Sequence, residues 1–235
     1  MLRCIALLGC ESFMKPTPFY EQDGITIYHG DCAQILPFLD PVDLLLTDPP
    51  YGIGADRNLR ANKRHGSAKA ASRDYGEGGW DAAPPQDWML QMARSKANKA
   101  VIWGGNYFNL PPTRCVFVWD KNNGSNCYAD CELAWTNMDM AVRKFKWTWH
   151  GMIQEHMGAA KEERHHPTQK PLALMVWCIE KCGPSTIIDP FMGSGTTLVA
   201  AKSLGKRAIG IERELKYCKI AVERLRMRLP RPTPS

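Results

Sequence analysis

Two short turns in this 235-residue chain gather acids, prolines, glycines and an aromatic ring in patterns that suit chemistry. The first is Thr47-Asp48-Pro49-Pro50-Tyr51-Gly52, which stops the apolar run Val42–Thr47. Each proline fixes its own φ near about −65° and restricts the residue before it, so the turn is stiff. It presents a carboxylate, a free carbonyl and a ring together. An exocyclic amino group on a nucleobase needs hydrogen-bond acceptors, and a base swung out of its helix needs a stacking face. Asp48, the Pro49 carbonyl and Tyr51 supply these, with Pro50 stiffening the turn. The plainer alternative is a proline-braced loop in which Asp48 is a cap.

The second turn is Asp189-Pro190-Phe191-Met192-Gly193-Ser194-Gly195-Thr196-Thr197. A phosphate-binding P-loop requires a lysine after its last glycine, and Thr196 stands there. A dinucleotide fingerprint requires a third glycine, and Leu198 stands there. Glu212 follows Asp189 by 23 residues and ends another strand-like run. A carboxylate in that place accepts hydrogen bonds from ribose hydroxyls. The set suits a nucleoside cofactor without a pyrophosphate, S-adenosylmethionine foremost. The alternative is a tight structural turn with a solvated Glu212.

The elements that must position these turns are legible as alternating signals. Ile25–His29, Val42–Thr47, 100–103, 115–119, 131–135, 185–189 and 207–211 are β-branched, aromatic or continuously apolar and read as strands. Helical stretches are expected over 32–39, 86–97, from Pro171 onward, 195–204 and 213–228. Alternating strand and helix signals with apolar strands indicate an α/β fold whose sheet is largely parallel. Ligands in such sheets bind at the carboxyl edge, where both turns fall. Residues 53–85 have no apolar period and read as a long, flexible basic loop, of a length that is functional or disordered. Residues 140–149 alternate basic with apolar or aromatic side chains and read as a half-exposed strand. Gly104-Gly105 before Asn106 points to a close backbone approach, with Asn106 a pocket candidate.

Composition narrows the class. With 44% hydrophobic and 23% charged residues the chain is one sizeable globular domain rather than a disordered or fibrous one. No apolar run approaches the roughly 20 residues of a membrane span. Nine scattered cysteines fit a reduced, cytoplasmic protein better than a disulfide framework. Cys127/Cys131 and Cys178/Cys182 with His165 and His166 lack the tight spacing of structural zinc, so no metal is expected. The start, residues 1–24, reads as a tail and lead-in. A single domain spans 25–228, and 229–235 is a second tail.

The pairing of TDPPYG with DPFMGSGTT resembles the amino-group DNA methyltransferases that use S-adenosylmethionine. His166–Pro171 (HPTQKP) and Gly30–Cys32 (GDC) extend the match, and the order, catalytic turn first and glycine turn last, is that of the permuted β-type members. The resemblance covers roughly residues 25–225. It implies a Rossmann-like methyltransferase fold with a seven-stranded, mostly parallel sheet and one antiparallel edge strand. It implies that Asp48, Pro49, Pro50 and Tyr51 hold the target base, with Asp48 also bordering the cofactor. Asp189, Pro190, Phe191, Gly193, Ser194, Gly195 and Thr196 would line the methionine moiety, Thr168 and Lys170 its carboxylate. Glu212 would take the ribose, Asp31 and Cys32 the adenine.

The implied substrate is adenine in double-stranded DNA, since the acid in this turn is commoner in N6-adenine enzymes than in N4-cytosine ones. An inactive nucleic-acid-binding copy of the fold is the alternative of a different class. Clustered Lys and Arg are needed to hold phosphates. Arg57, Arg60, Lys63 and Arg64, followed by Lys69 and Arg73, supply one cluster. Arg143, Lys144 and Lys146 with Trp147 and Trp149 supply another, in a short recognition insertion at about 137–165. The same stripe is also what an ordinary strand with a buried aromatic face looks like. A homodimer would suit a palindromic site.

Overall fold

The computed structural model describes residues 15–53, 83–124, 129–150, 153–158, 161–165 and 168–227. A hairpin of β1 (Tyr20–Gln22) and β2 (Ile25–His29) leads into α1 (Cys32–Ile35), a 3-10 turn and β3 (Val42–Thr47). Then come α2 (Asp87–Ser95), β4 (Ala97–Trp103), β5 (Val116–Asp120), β6 (Cys131–Thr136) and β7 (Arg143–Lys146). A small separate hairpin joins β8 (Trp149–His150) to β9 (Ile153–Gln154). The chain finishes with α3 (Leu172–Cys182), β10 (Thr186–Asp189), α4 (Thr196–Ser203), β11 (Arg207–Glu212) and α5 (Leu215–Arg226).

One nine-stranded sheet runs in the order β1-β2-β11-β10-β3-β4-β6-β5-β7. Neighbours are parallel except β1 on β2 and both contacts of β6. Two expectations need correction here. Seven strands were expected; β1 and β7 flank those seven and bring the sheet to nine. The antiparallel strand of the seven, β6, lies between β4 and β5 rather than at an edge. Residues 140–149 contribute to two strands, β7 and β8, and not one, and Phe145, Trp147 and Trp149 all turn into the core.

Strand alternation sends side chains to two helical layers. Leu44 and Leu46 of β3, Ile187 of β10 and Trp103 of β4 pack with Leu174 of α3, Val199 of α4 and Ala221 of α5. Leu45, Ile188 and Ile102 face the other way, against Ile35, Leu36 and Ala93 of the α1–α2 side. Period-two alternation thus buries both faces of β3, which is why its sequence is continuously apolar. Among the described residues no helix is long and apolar enough to cross a membrane.

Candidate active site

Parallel pairing of β3, β10 and β11 brings their carboxyl ends side by side, so that Asp48, Asp189 and Glu212 belong to one edge. Asp189 is buried and braces that edge: it accepts hydrogen bonds from the Thr47 hydroxyl (2.7 Å), the Thr197 hydroxyl (2.6 Å) and the Phe191 N–H (3.2 Å). Burial outweighs these bonds and pushes its pKa up to about 6 from 3.8. A carboxyl whose folded pKa is raised costs stability while ionised, and the cost is relieved as pH falls through the folded value. The Tm gap between wild type and Asp189→Asn is therefore expected to move in favour of the wild type between about pH 7.5 and about pH 4.5. A gap independent of pH would contradict it.

At the end of β3, Asp48 is tied on both oxygens. The Tyr51 hydroxyl donates to Oδ1 at 2.6 Å, and Lys170 Nζ donates to Oδ2 at 2.7 Å. The Lys170 ammonium also lies 3.0 Å from the Tyr51 oxygen and 3.1 Å from Glu132 Oε2 on β6. Glu132 Oε1 in turn meets Lys121 at 2.5 Å. Burial pushes the Asp48 carboxyl above its ordinary pKa, with Lys170 opposing. Burial would raise Glu132 as well, but Lys170 and Lys121 outweigh it and hold that carboxyl at about 2. Lys170 is raised well above its ordinary value, since Asp48 and Glu132 outweigh the desolvation that disfavours an ammonium.

The Tyr51 ring sits in a slot. Tyr107 stacks on it with ring centroids 4.9 Å apart and planes 18° from parallel. Gly104 lies against it at φ +70°, and a Cβ there would come within 2.1 Å of Tyr51 Cε1. No side chain fits, and the backbone conformation itself disfavours one. Gly104→Ala is expected to expel Tyr51 and slow turnover at least about 10-fold, as misplacing a positioned group does. Near-wild-type turnover would show that Tyr51 is not needed where it lies.

A cavity of about 520 Å³ connects this turn to the glycine turn. Its wall includes Asp31, Cys32, Pro49, Thr168, Gly193 and Glu212, with Asp48, Pro50, Tyr51, Pro190 and Phe191 also bordering it. That volume is the size of a nucleoside-like ligand site. Gly193 is open on its side-chain face, leaving room for close approach. Glu212 Oε2 accepts the Gly193 N–H at 3.0 Å and Oε1 the Glu214 N–H at 2.7 Å. Each oxygen keeps a lone pair for a hydroxyl donor. Asp31 caps α1 with Oδ1, accepting from the Ala33 N–H at 2.8 Å.

Asp189, Ser194, Gly195, Thr196 and Lys170 form the layer behind that wall. Gly195 is required there by packing, since its Cβ would lie 2.8 Å from that of Ala221 on α5. The buried Arg224 guanidinium holds the same turn, reaching the Ser194 carbonyl (2.8 Å), Ser194 Oγ (3.1 Å) and Thr196 Oγ1 (3.0 Å). Sequence reasoning missed Glu132, and it missed Trp88, Met89 and Tyr217 on the cavity wall. The last three carry no signal short of tertiary structure. Asn106 lies beside Tyr107 in a 3-10 turn but not on the cavity wall.

Arg57, Arg60, Lys63 and Arg64, with Lys69 and Arg73, lie outside the described residues, as do His166 and Pro167. Arg143, Lys144 and Lys146 are exposed on β7, which β4, β6 and β5 separate from β3. Lys144 pairs with Asp120 at 3.2 Å. Trp147 and Trp149 are buried, so the aromatic half of that stripe is core. Among the described residues no cluster of His, Cys, Asp or Glu suits a metal.

A family profile described as DNA methylase matches residues 84–223, more than half of the chain and all of the glycine turn. The chain belongs to the DNA methylase family. Relatives of this methylase include the type II methyltransferase M.HinfI of Haemophilus influenzae, 27% identical over 259 residues that cover 88% of this chain and 70% of that protein. M2.DpnII of Streptococcus pneumoniae is 26% identical, covering 88% of this chain and 92% of that one. Among solved structures, a complex of M1.HpyAVI with SAM shares 25% identity and a TM-score of 0.52, covering 86% of the methylase and all of that chain (100%). The cytosine-N4-specific PvuII DNA methyltransferase shares the fold, with a TM-score of 0.55 at 14% identity over 89% of each chain.

Proposed function

We propose that this methylase transfers the methyl group of S-adenosylmethionine to the N6 amino group of adenine in double-stranded DNA. The observation that carries the reading is one cavity bordered by both Asp48 and the Gly193–Glu212 wall, so that an amine at one end meets a cofactor at the other. When bound, the cofactor supplies an electrophilic methyl sulfonium, and the hard chemistry is its own. Glu212 would take the ribose hydroxyls, Asp31 and Cys32 would hold the adenine, and Thr168 would serve the methionine end. Asp189, Ser194, Gly195 and Thr196 hold the turn from behind.

The amine nitrogen is a poor nucleophile because its lone pair conjugates with the ring. Asp48 and the Pro49 carbonyl accept its two hydrogens and favour the tetrahedral nitrogen of the transition state. Tyr51, one face of whose ring is covered by Tyr107, borders the end of the cavity that would receive the extruded base. Orienting the amine toward the cofactor would supply the remaining advantage: as the nitrogen–carbon bond forms the sulfonium's methyl–sulfur bond would break, the neutral thioether would leave, and the proton lost from nitrogen would pass to solvent. No thiol is needed: burial pushes Cys32, which borders the cavity, up to about 12. Exposed Arg143 and Lys146, with the basic residues of 57–73, would hold phosphates. A two-fold dimer suits a palindromic site, and the six described free cysteines suit the cytoplasm.

The N4 amine of cytosine offers the same two hydrogens, and the PvuII enzyme shows that the fold serves it, which makes cytosine the second reading. The test is to incubate the protein with labelled S-adenosylmethionine and unmethylated duplex DNA, digest to nucleosides and identify the labelled one by mass. Label in N6-methyladenine is expected. Label in N4-methylcytosine would keep the mechanism and change the base. Cofactor binding with no label on DNA would sink the reading.

A further inference from the structure

We infer that Lys170 is a positioning residue for Asp48, held by Glu132, and not a ligand of the cofactor's carboxylate. The inference rests on the proposed methyl transfer for its meaning and on geometry for its support. An ammonium has three N–H bonds and no acceptor. Those of Lys170 have three oxygens within reach: Asp48 Oδ2 at 2.7 Å, the Tyr51 oxygen at 3.0 Å and Glu132 Oε2 at 3.1 Å. Asp48 and Tyr51 take hydrogen bonds and Glu132 adds an ion pair, so the ammonium is engaged by the catalytic turn and β6 rather than turned toward a cofactor carboxylate. The side chain is 5% exposed and stands behind the cavity wall, whereas Thr168, two residues earlier, is on it.

The arrangement answers a problem that burial creates. A buried carboxylate without a cation takes up a proton, and a protonated Asp48 turns one of its two acceptor oxygens into a donor. Asp48 would then fail to receive the amine. Lys170 keeps Asp48 ionised and fixes its rotamer through Oδ2. Glu132, with Lys121 behind it, keeps Lys170 aimed at Asp48. The charged groups facing Asp48 are Lys170 ahead of α3, Glu132 on β6 and Asp189 on β10, with the Tyr51 hydroxyl beside it. Lys121, after β5, completes an alternation of two acids and two cations.

The full-length protein, Lys170→Met and the charge-balanced double variant Lys170→Met/Glu132→Gln test this with three readouts. The first is the Asp48 side-chain 13C titration, assigned by its loss in Asp48→Asn. The second is S-adenosylmethionine affinity by calorimetry. The third is the single-turnover methylation rate across pH. In Lys170→Met the Asp48 titration and the acid limb of the rate profile are expected to move up by about one unit or more. The rate near neutrality is expected to fall about 100-fold. Cofactor affinity is expected to stay within about threefold, well under the 1.4 kcal/mol that marks a tenfold change. The double variant is expected to bind the cofactor like wild type and remain slow, which separates positioning from misfolding.

A tenfold or greater loss of cofactor affinity with an unmoved Asp48 titration would overturn the inference in favour of a carboxylate ligand. Recovery of the wild-type rate in the double variant would overturn it too. A wild type that titrates as expected but methylates no DNA would refute the proposed function and leave the role of Lys170 decided by the titration.

Discussion

An Asp48→Ala variant is expected to transfer methyl groups about 1,000-fold more slowly than wild type while binding S-adenosylmethionine almost unchanged. Asp48 borders the cavity where the proposed reaction would bring the amine, whereas Gly193, Glu212 and Asp31 border it where the proposed cofactor's nucleoside would sit. Truncation removes a preorganised acceptor from a water-poor site, where such groups are worth far more than in water. It also frees the Tyr51 hydroxyl, which donates to Asp48 at 2.6 Å, leaving the ring held by Lys170 and Tyr107 alone. Lys170 keeps Glu132 as a counter-charge at 3.1 Å, and the variant should therefore fold. Asp48→Asn retains one acceptor oxygen and is expected to fall between the two. Single-turnover rates at saturating cofactor, with calorimetric affinity alongside, check this. Transfer by Asp48→Ala at the wild-type rate would remove Asp48 from the chemistry.

What was legible from sequence was what is local. Val42–Thr47 was read to the residue because a two-faced apolar strand ends abruptly at Asp48-Pro49-Pro50. Both turns were found because each holds its chemistry within a few consecutive residues. What failed needed partners distant in the chain. Glu132 looked like a polar strand position, and only the pairing of β4 with β6 brings it to Lys170, 38 residues later. Gly193 and Gly195 looked alike, yet one faces the cavity and the other faces Ala221, a distinction no spacing contains. The stripe at 140–149 was ambiguous for the same reason: alternation says that one face is buried and not whether protein or DNA buries it. Phe145, stacked on Trp147 at 5.8 Å and packed against Trp177 at 5.3 Å, gives the answer for the aromatic side.

Arg224 is the residue whose loss is expected to cost the fold most. The sequence places it in a basic amphipathic helix, where an arginine is ordinarily solvated; in the fold it is 6% exposed beneath the glycine turn. It donates to the Ser194 carbonyl, Ser194 Oγ and Thr196 Oγ1, and its second terminal nitrogen lies 3.6 Å from Glu162 Oε1. Glu162 is fixed in turn by the Gln169 side chain at 2.9 Å and the Leu172 N–H at 3.0 Å. One guanidinium therefore joins α5, the glycine turn and the segment that carries Lys170. Arg224→Leu fills much of the space but strands a half-buried carboxylate, 25% exposed, and several buried acceptors. Breaking a fully buried pair costs about 3–5 kcal/mol; at the lower end of that range the Tm of a chain of this size falls by roughly 10 °C. Burial already raises the Glu162 pKa, with Arg224 among the groups that restrain it. Without that restraint the folded value rises further above the unfolded one, so the penalty is greatest where Glu162 is ionised and eases as pH falls. The Tm deficit is therefore expected to be larger at about pH 8 than at about pH 5. Adding Glu162→Gln should recover part of it at the higher pH, because the stranded charge is gone. A deficit equal at both pH values and untouched by Glu162→Gln would place the cost in the lost Ser194 and Thr196 bonds alone. Cofactor affinity would then be the quantity that falls, since those bonds hold the turn that Gly193 presents to the cavity.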